Sequence, residues 1–143
     1  MQVKHLDHLN LSVADFEETA DWYRRMFGFE VVERGIQDGE PWGVIRGGDA
    51  MLCIYQRPDW RIYDKDALGD AGQHRIAHFA FRITDRSQWE AVLERENPQL
   101  YYGGINEYPH STSWYVRDPN GYSIEVALWN HDSPSFKQAL TEA

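Results

Sequence analysis

The sequence predicts an α+β fold made of two βαβββ modules, and three observations predict it. The first is an internal repeat. His8-Leu9-Asn10-Leu11-Ser12-Val13-Ala14-Asp15 lies over His78-Phe79-Ala80-Phe81-Arg82-Ile83-Thr84-Asp85 at a constant offset of 70, matching His with His, Asp with Asp and three apolar positions with three others. The second is the alternation of apolar and polar residues in both segments, the period of a half-buried strand. The third is that each segment runs into a helix start and then into three short runs with strand character.

The helix starts come from Asp15 with Glu18 and from Asp85 with Gln88, each an acidic cap with a partner three residues on. The first helix draws one apolar stripe through Phe16, Ala20, Tyr23 and Phe27, and Gly28 supplies a left-handed stop. The second carries Trp89, Val92 and Leu93 on one side and ends at Asn97-Pro98, because proline disfavours helix in the residue before it. Strands are expected over about 29–36, 42–47 and 50–56, and again over about 100–107, 112–117 and 122–129. Gly47-Gly48-Asp49 and Asp118-Pro119-Asn120-Gly121 form the turns before the last strand of each half.

Residues 57–75 show no period and hold Trp60 and Tyr63 among four aspartates, so they read as a linker or as an ordered lid. Ser135 to Ala143 is amphipathic and reads as a terminal helix or a frayed end. The organisation expected is one domain over 1–143: module one about 3–56, linker or lid 57–75, module two about 76–129, and a tail over 130–143.

Composition narrows the function. Fourteen Lys and Arg against 23 Asp and Glu leave a net charge of −9, which argues against nucleic acid or an anionic membrane as a partner. No apolar run approaches the roughly 18 residues of a membrane span. Met1 is not followed by a charged start and an apolar stretch, and there is one cysteine, Cys53. A cytoplasmic protein is the expectation. The aromatic content (6 Trp, 8 Tyr, 6 Phe) suits a core or the walls of a small-molecule pocket.

Strand faces then single out three residues. Leu9, Leu11 and Val13 share one face, which turns His8, Asn10 and Ser12 to the other. Phe79, Phe81 and Ile83 likewise turn His78, Ala80 and Arg82 away, and Ile124, Val126 and Leu128 turn Glu125 away. If the apolar faces meet the helices, His8, His78 and Glu125 all project from the opposite, concave side. A carboxylate inside Ser-Ile-Glu-Val-Ala-Leu is costly unless paired or metal-bound. Two imidazoles and one carboxylate form a ligand set for one divalent ion, Fe, Mn, Ni or Zn, with positions left for substrate. Read singly, each residue is also compatible with a satisfied core histidine or an exposed edge carboxylate.

Four stretches carry a family resemblance: 6–13, Trp22-Tyr23-Arg24-Arg25-Met26-Phe27-Gly28-Phe29, Ala77-His78-Phe79-Ala80-Phe81, and Asp118-Pro119-Asn120-Gly121-Tyr122-Ser123-Ile124-Glu125. Over about residues 3–129 the chain resembles the vicinal oxygen chelate superfamily of glyoxalases, bleomycin-resistance proteins, extradiol dioxygenases and fosfomycin-modifying enzymes. The resemblance implies paired modules forming a cup around a divalent metal held by His8, His78 and Glu125. It also implies a homodimer, in many members with modules exchanged between chains; open sheet edges point the same way.

Members differ around that centre. Extradiol enzymes resemble this chain in Tyr115, Asp118, Pro119, Gly121 and Glu125, and their pattern makes Tyr115 and His110 the catalytic candidates. His110 lies only five residues before Tyr115, so it reads as a catalytic residue on a shortened loop or as a loop residue. Glyoxalase-type isomerisation resembles a site with a carboxylate where aligning the turns puts Cys53, leaving Tyr55 or Glu107 to act instead. Fosfomycin-type enzymes place a Thr where Asn10 stands and an Arg soon after the carboxylate ligand, and none follows Glu125. Asn10, Cys53, Tyr55 and Arg117 are the candidates for substrate contact, with Arg117 and Arg82 as anion partners. The function expected is a metal-dependent lyase, isomerase or dioxygenase acting on a small substrate with vicinal oxygens. The alternative is a non-catalytic binder of a small molecule or antibiotic, as in bleomycin resistance.

Overall fold

The computed structural model describes residues 1–134 and 136. The expected terminal helix over 135–143 lies, Phe136 aside, outside the described residues. The described residues divide into two compact units, one of Met1–Arg75 with Asp118–Tyr122, the other of Ile76–Arg117 with the described residues from Ser123 onward.

The first unit runs β1 (Leu9–Val13), α1 (Phe16–Phe27), β2 (Glu30–Gln37), β3 (Glu40–Gly47), β4 (Ala50–Gln56) and a single helical turn, α2 (Ala67–Asp70). Its sheet has the order β1-β4-β3-β2, with β1 and β4 parallel and the other pairs antiparallel. Asp15 caps α1 by accepting from the Glu18 amide at 2.8 Å, and Gly28 ends it at φ 73°. The buried stripe of α1 is Phe16, Thr19, Ala20, Tyr23 and Met26; Phe27 is only half-buried. That stripe and Ile45, Leu52 and Ile54 of the sheet make the core. Gly43 lets them meet, because a Cβ there would stand 2.2 Å from the Glu33 carbonyl oxygen and 2.9 Å from Phe16 Cζ.

The segment after β4 is ordered. The Arg57 amide donates to the Val13 carbonyl at 2.8 Å, the Tyr63 amide donates to the Asn120 carbonyl at 2.8 Å, and Arg75 Nε reaches the Lys65 carbonyl at 2.7 Å. It is a strap of this unit.

The turn 118–122 is the other sequence-distant part of the first unit. Asp118 Oδ1 accepts from the Asn120 and Tyr122 amides, each at 2.8 Å, and Oδ2 accepts from the buried Tyr23 hydroxyl at 3.0 Å. Asn120 Oδ1 takes the Ala14 amide at 2.8 Å, and its Nδ2 donates to Thr19 Oγ1 at 3.1 Å. Burial pushes the Tyr23 phenol well above its usual range, and the neighbouring Asp118 charge adds to it.

The second unit runs β5 (Phe79–Ile83), α3 (Arg86–Glu96), β6 (Leu100–Glu107), β7 (Ser111–Arg117) and β8 (Ser123–Trp129), in the order β5-β8-β7-β6. Asp85 caps α3 through the Gln88 amide at 3.0 Å, and Asn97 ends the helix in the left-handed region at φ 45°. Trp89 of α3 meets Trp114 edge-on at 6.3 Å, above buried Val116, Ile124 and Val126. Both sheets are thus mixed, with one face buried under a helix and the other turned away.

Candidate functional site

In the second unit, Glu125 lies in β8, an interior strand of the sheet. Its register partners are Ala80 in β5 and Tyr115 in β7. Ile124 and Val126 beside it are fully buried, so the period of two turns Glu125 to the face away from α3. His78, which immediately precedes β5, reaches the same point: its Nε2 stands 3.0 Å from Glu125 Oε2. The two side chains are 39% and 19% exposed, a recessed pair with an open approach.

The rest of the carboxylate is held from β7. Ser113 Oγ donates to Glu125 Oε1 at 2.7 Å, and the Tyr115 hydroxyl donates to the same oxygen at 3.2 Å. Tyr108 and Tyr115 share a hydrogen bond at 3.0 Å; with Tyr115 donating to Glu125, Tyr108 is the donor to Tyr115. Burial pushes the Tyr115 phenol well above its usual range, helped by the bond with Tyr108 and the Glu125 charge, so it stays protonated at neutral pH. The His78 ring lies edge-on to Tyr115 at 5.4 Å, and the Tyr102 ring also meets Tyr115 edge-on at 5.1 Å.

This arrangement fits a divalent ion. With its proton on Nε2, His78 donates to Glu125 Oε2; with the proton on Nδ1, both facing atoms are acceptors and a cation would have to lie between them. Their 3.0 Å spacing is close to that of two donors about 2.1 Å from one ion at a right angle. Oε1 is already engaged by two hydroxyls, which leaves Oε2 facing His78 and fixes its direction.

His8 belongs to the first unit and immediately precedes β1. Its Nδ1 lies 2.7 Å from Asp7 Oδ2, which orients the ring and leaves Nε2 available. Among the described residues no group of three or more His, Cys, Asp or Glu side chains forms an ion site. The structure brings His78 and Glu125 together.

The remaining candidates fall in different surroundings. Asn10 is exposed on β1 and pairs in register with Cys53, and Tyr55 pairs with Ser12 and Trp42. Tyr55 carries the Arg57 guanidinium over its ring at 4.8 Å. Burial, then the Glu33 and Asp7 charges, holds the Cys53 thiol above its usual range. Arg117 is half-buried at the end of β7, opposite Ser123. Arg82 lies over the Trp129 ring at 4.8 Å, with Nη1 3.3 Å from the Asp132 carbonyl. His110 bonds Ser111 Oγ at 2.8 Å and stacks on Trp129 at 4.7 Å, beside an open cavity of about 450 Å³ that also includes His131 and Phe136. Neither His110 nor Arg117 is among the groups that bond Glu125. Ser113 is the site residue that sequence reasoning does not find. Its signal is the run Ser111, Ser113, Tyr115, polar at every second position of a strand whose other face is Trp114 and Val116.

Two βαβββ units, the second with an oriented carboxylate–imidazole pair on its open face, define a class of protein that known families can be compared with. The model of the Glyoxalase/Bleomycin resistance protein/Dioxygenase superfamily matches residues 5–126, and the chain belongs to that family. A curated relative, the catechol-2,3-dioxygenase of Bacillus subtilis (strain 168), is 22% identical over 134 residues, 90% of this chain. The chain spans only 45% of that relative's length. Among solved structures, a glyoxylase/bleomycin resistance protein/dioxygenase domain from Frankia sp. EAN1pec superposes with a TM-score of 0.75 at 14% identity, covering 92% of this chain and 96% of its own. A lactoylglutathione lyase from Agrobacterium tumefaciens gives 0.62 at 24% identity, covering 90% and 96%. The fosfomycin resistance protein FosX of Listeria monocytogenes gives 0.66 at 14%, covering 87% and 91%. These likenesses establish the fold. No described helix is long and apolar enough to cross a membrane.

Proposed function

We propose that this chain is a divalent-metal-dependent enzyme acting on a small substrate that chelates the metal through two adjacent oxygens. One observation carries the reading: Glu125 is fixed through Oε1 by Ser113 and Tyr115, while its Oε2 faces His78 Nε2 at 3.0 Å. The anchoring leaves Oε2 pointing in one fixed direction, which is what a ligand requires.

His78 and Glu125 supply two ligands. His8 is the proposed third ligand, on the grounds of its repeat position and its Asp7-oriented ring, and a homodimer is the proposed assembly. When bound, the ion acts as a Lewis acid for the negative charge that develops on the substrate oxygens. Ser113 orients the carboxylate ligand. Tyr115 spends its one proton on Glu125 Oε1 and, with Ser113, holds that carboxylate in place. Asn10, Tyr55 and Arg117 contribute substrate contacts.

Extradiol-type cleavage of a catechol is the reaction this set favours, because Tyr115, the Asp118-Pro119 turn and Glu125 keep their spacing and no second carboxylate is required. Glyoxalase-like isomerisation is the second reading, supported by the shared architecture; it needs a base that Cys53 does not provide. The test is metal analysis of protein purified without chelator, followed by assay with catechols and with hemithioacetals. Stoichiometric metal and turnover of one substrate class is the expected result. Protein that takes up no divalent metal and turns over neither class would contradict this reading.

A further inference from the structure

The strap of the first unit closes a second cavity, whose lining includes none of His8, His78 and Glu125. It is bounded by Ser12 to Ala14 at the end of β1, by Arg57, by residues 60–63 of the strap, and by Asn120 and Tyr122 of the turn. Its volume is about 230 Å³, room for roughly seven waters at about 30 Å³ each. That is below the usual range for drug-sized ligands and suits a single ring.

Its chemistry is one-sided. The charged residues of the lining are Arg57 and Arg61, with no acid among them, in a chain of net charge −9. Arg57 is committed in part: it donates to the Gln56 carbonyl at 2.7 Å and to Asp38 at 3.0 Å, and lies over the Trp60 ring at 5.8 Å. Arg61 is exposed and makes no ion pair or side-chain hydrogen bond with the described residues. The other walls are the rings of Trp60, Tyr63 and Tyr122. Tyr63 and Tyr122 lie 5.2 Å apart at 30°, and Tyr122 is pinned by donating to the Ser12 carbonyl at 2.8 Å. Trp60 is 58% exposed, an indole left at the rim. The cradle is fixed by close packing of strap and turn: a Cβ on Gly121 would stand 1.9 Å from the Tyr63 carbonyl oxygen.

We infer that this cavity binds a small planar organic anion, a one-ring aromatic carboxylate, with Arg61 pairing to the carboxylate and the ring placed between Trp60 and the two tyrosines. A guanidinium and a carboxylate form a bidentate, charge-assisted pair, and the ring faces select a flat partner.

The test is a calorimetric and indole-fluorescence titration of the full chain with sodium benzoate. Saturable one-to-one binding is expected. The neutral analogue benzyl alcohol should bind at least about tenfold more weakly. Arg61→Gln, at an exposed position that leaves the core intact, should also weaken benzoate about tenfold, the loss of one charge-assisted contact. Trp60→Phe should remove the fluorescence change while the heat of binding persists. Glu125→Gln should bind benzoate as the wild type does, which keeps this site separable from the metal reading. No saturable binding at about 20 mM benzoate, equal affinity for benzyl alcohol, full affinity in Arg61→Gln, or loss of binding in Glu125→Gln would each overturn the proposal.

Discussion

Cys53 holds in β4 the register position that Glu125 holds in β8. Asn10 pairs with Cys53 across β1 and β4, Ala80 pairs with Glu125 across β5 and β8, and Asn10 and Ala80 are equivalent in the repeat. The backbone repeats itself here and the chemistry does not. One sheet presents an anchored carboxylate and the other a thiol.

That thiol should be unreactive. Burial and the Glu33 and Asp7 charges raise its pKa, so thiolate is the minor form at neutral pH. Iodoacetamide at about pH 7.5 should alkylate Cys53 more slowly than free cysteine, and the rate should reach half its maximum at a higher pH. Alkylation faster than that of free cysteine would contradict the assignment of Cys53 as a half-buried neutral thiol.

The Tyr23–Asp118 bond should be a stability determinant. Both groups are buried, and Tyr23→Phe leaves Asp118 Oδ2 with only the longer bond from Asn120 Nδ2 at 3.3 Å. The cost should be about 1.5–3 kcal/mol, the value of a hydrogen bond to a charged group. Urea unfolding measures it. A midpoint equal to that of the wild type would show that the turn 118–122 is held without this bond.

Asp85 gives a pH-dependent prediction. The Gln88 amide first, then the Ser87 hydroxyl, holds its carboxyl below the usual carboxylate range. A depressed folded-state pKa contributes stability that is present above the unfolded value and is lost as pH falls through the folded value. Asp85→Ala should therefore lower the melting temperature at pH 7, and the deficit should shrink towards about pH 2. A deficit that stays constant across that range would assign it to packing rather than to the charged cap.

Much of this architecture is legible in the sequence, for specific reasons. Period-two alternation around Ile124 and Val126 puts Glu125 on the open face, and the repeat puts His78 beside a strand start. Local caps are equally legible: Asp15, Asp85 and Gly28 act within three or four residues of themselves. The features that escape sequence reasoning depend on partners far along the chain. Tyr23 and Asp118 are 95 residues apart, and nothing local marks Asp118 as buried. Ser113 becomes a partner of Glu125 only through the β7–β8 register. The strap 57–75 has no hydrophobic period, since its order comes from Tyr63 meeting Asn120 and Tyr122 rather than from a stripe of its own.

The central claim rests on Glu125, and Glu125→Gln tests it most directly. Glutamine keeps the volume and a carbonyl to which Ser113 and Tyr115 can donate, but removes the anion. Thermal unfolding of wild type and variant is compared without metal and with Mn(II), Fe(II), Ni(II) or Zn(II). Without metal, near neutral pH, the two melting temperatures should agree within a few degrees. At a free metal concentration about 100-fold above Kd, binding to the native state should stabilise the wild type by about 2.7 kcal/mol, and the variant far less. Equal metal-induced shifts in the two proteins would show that Glu125 is not a ligand and would remove the basis for a metal-dependent enzyme.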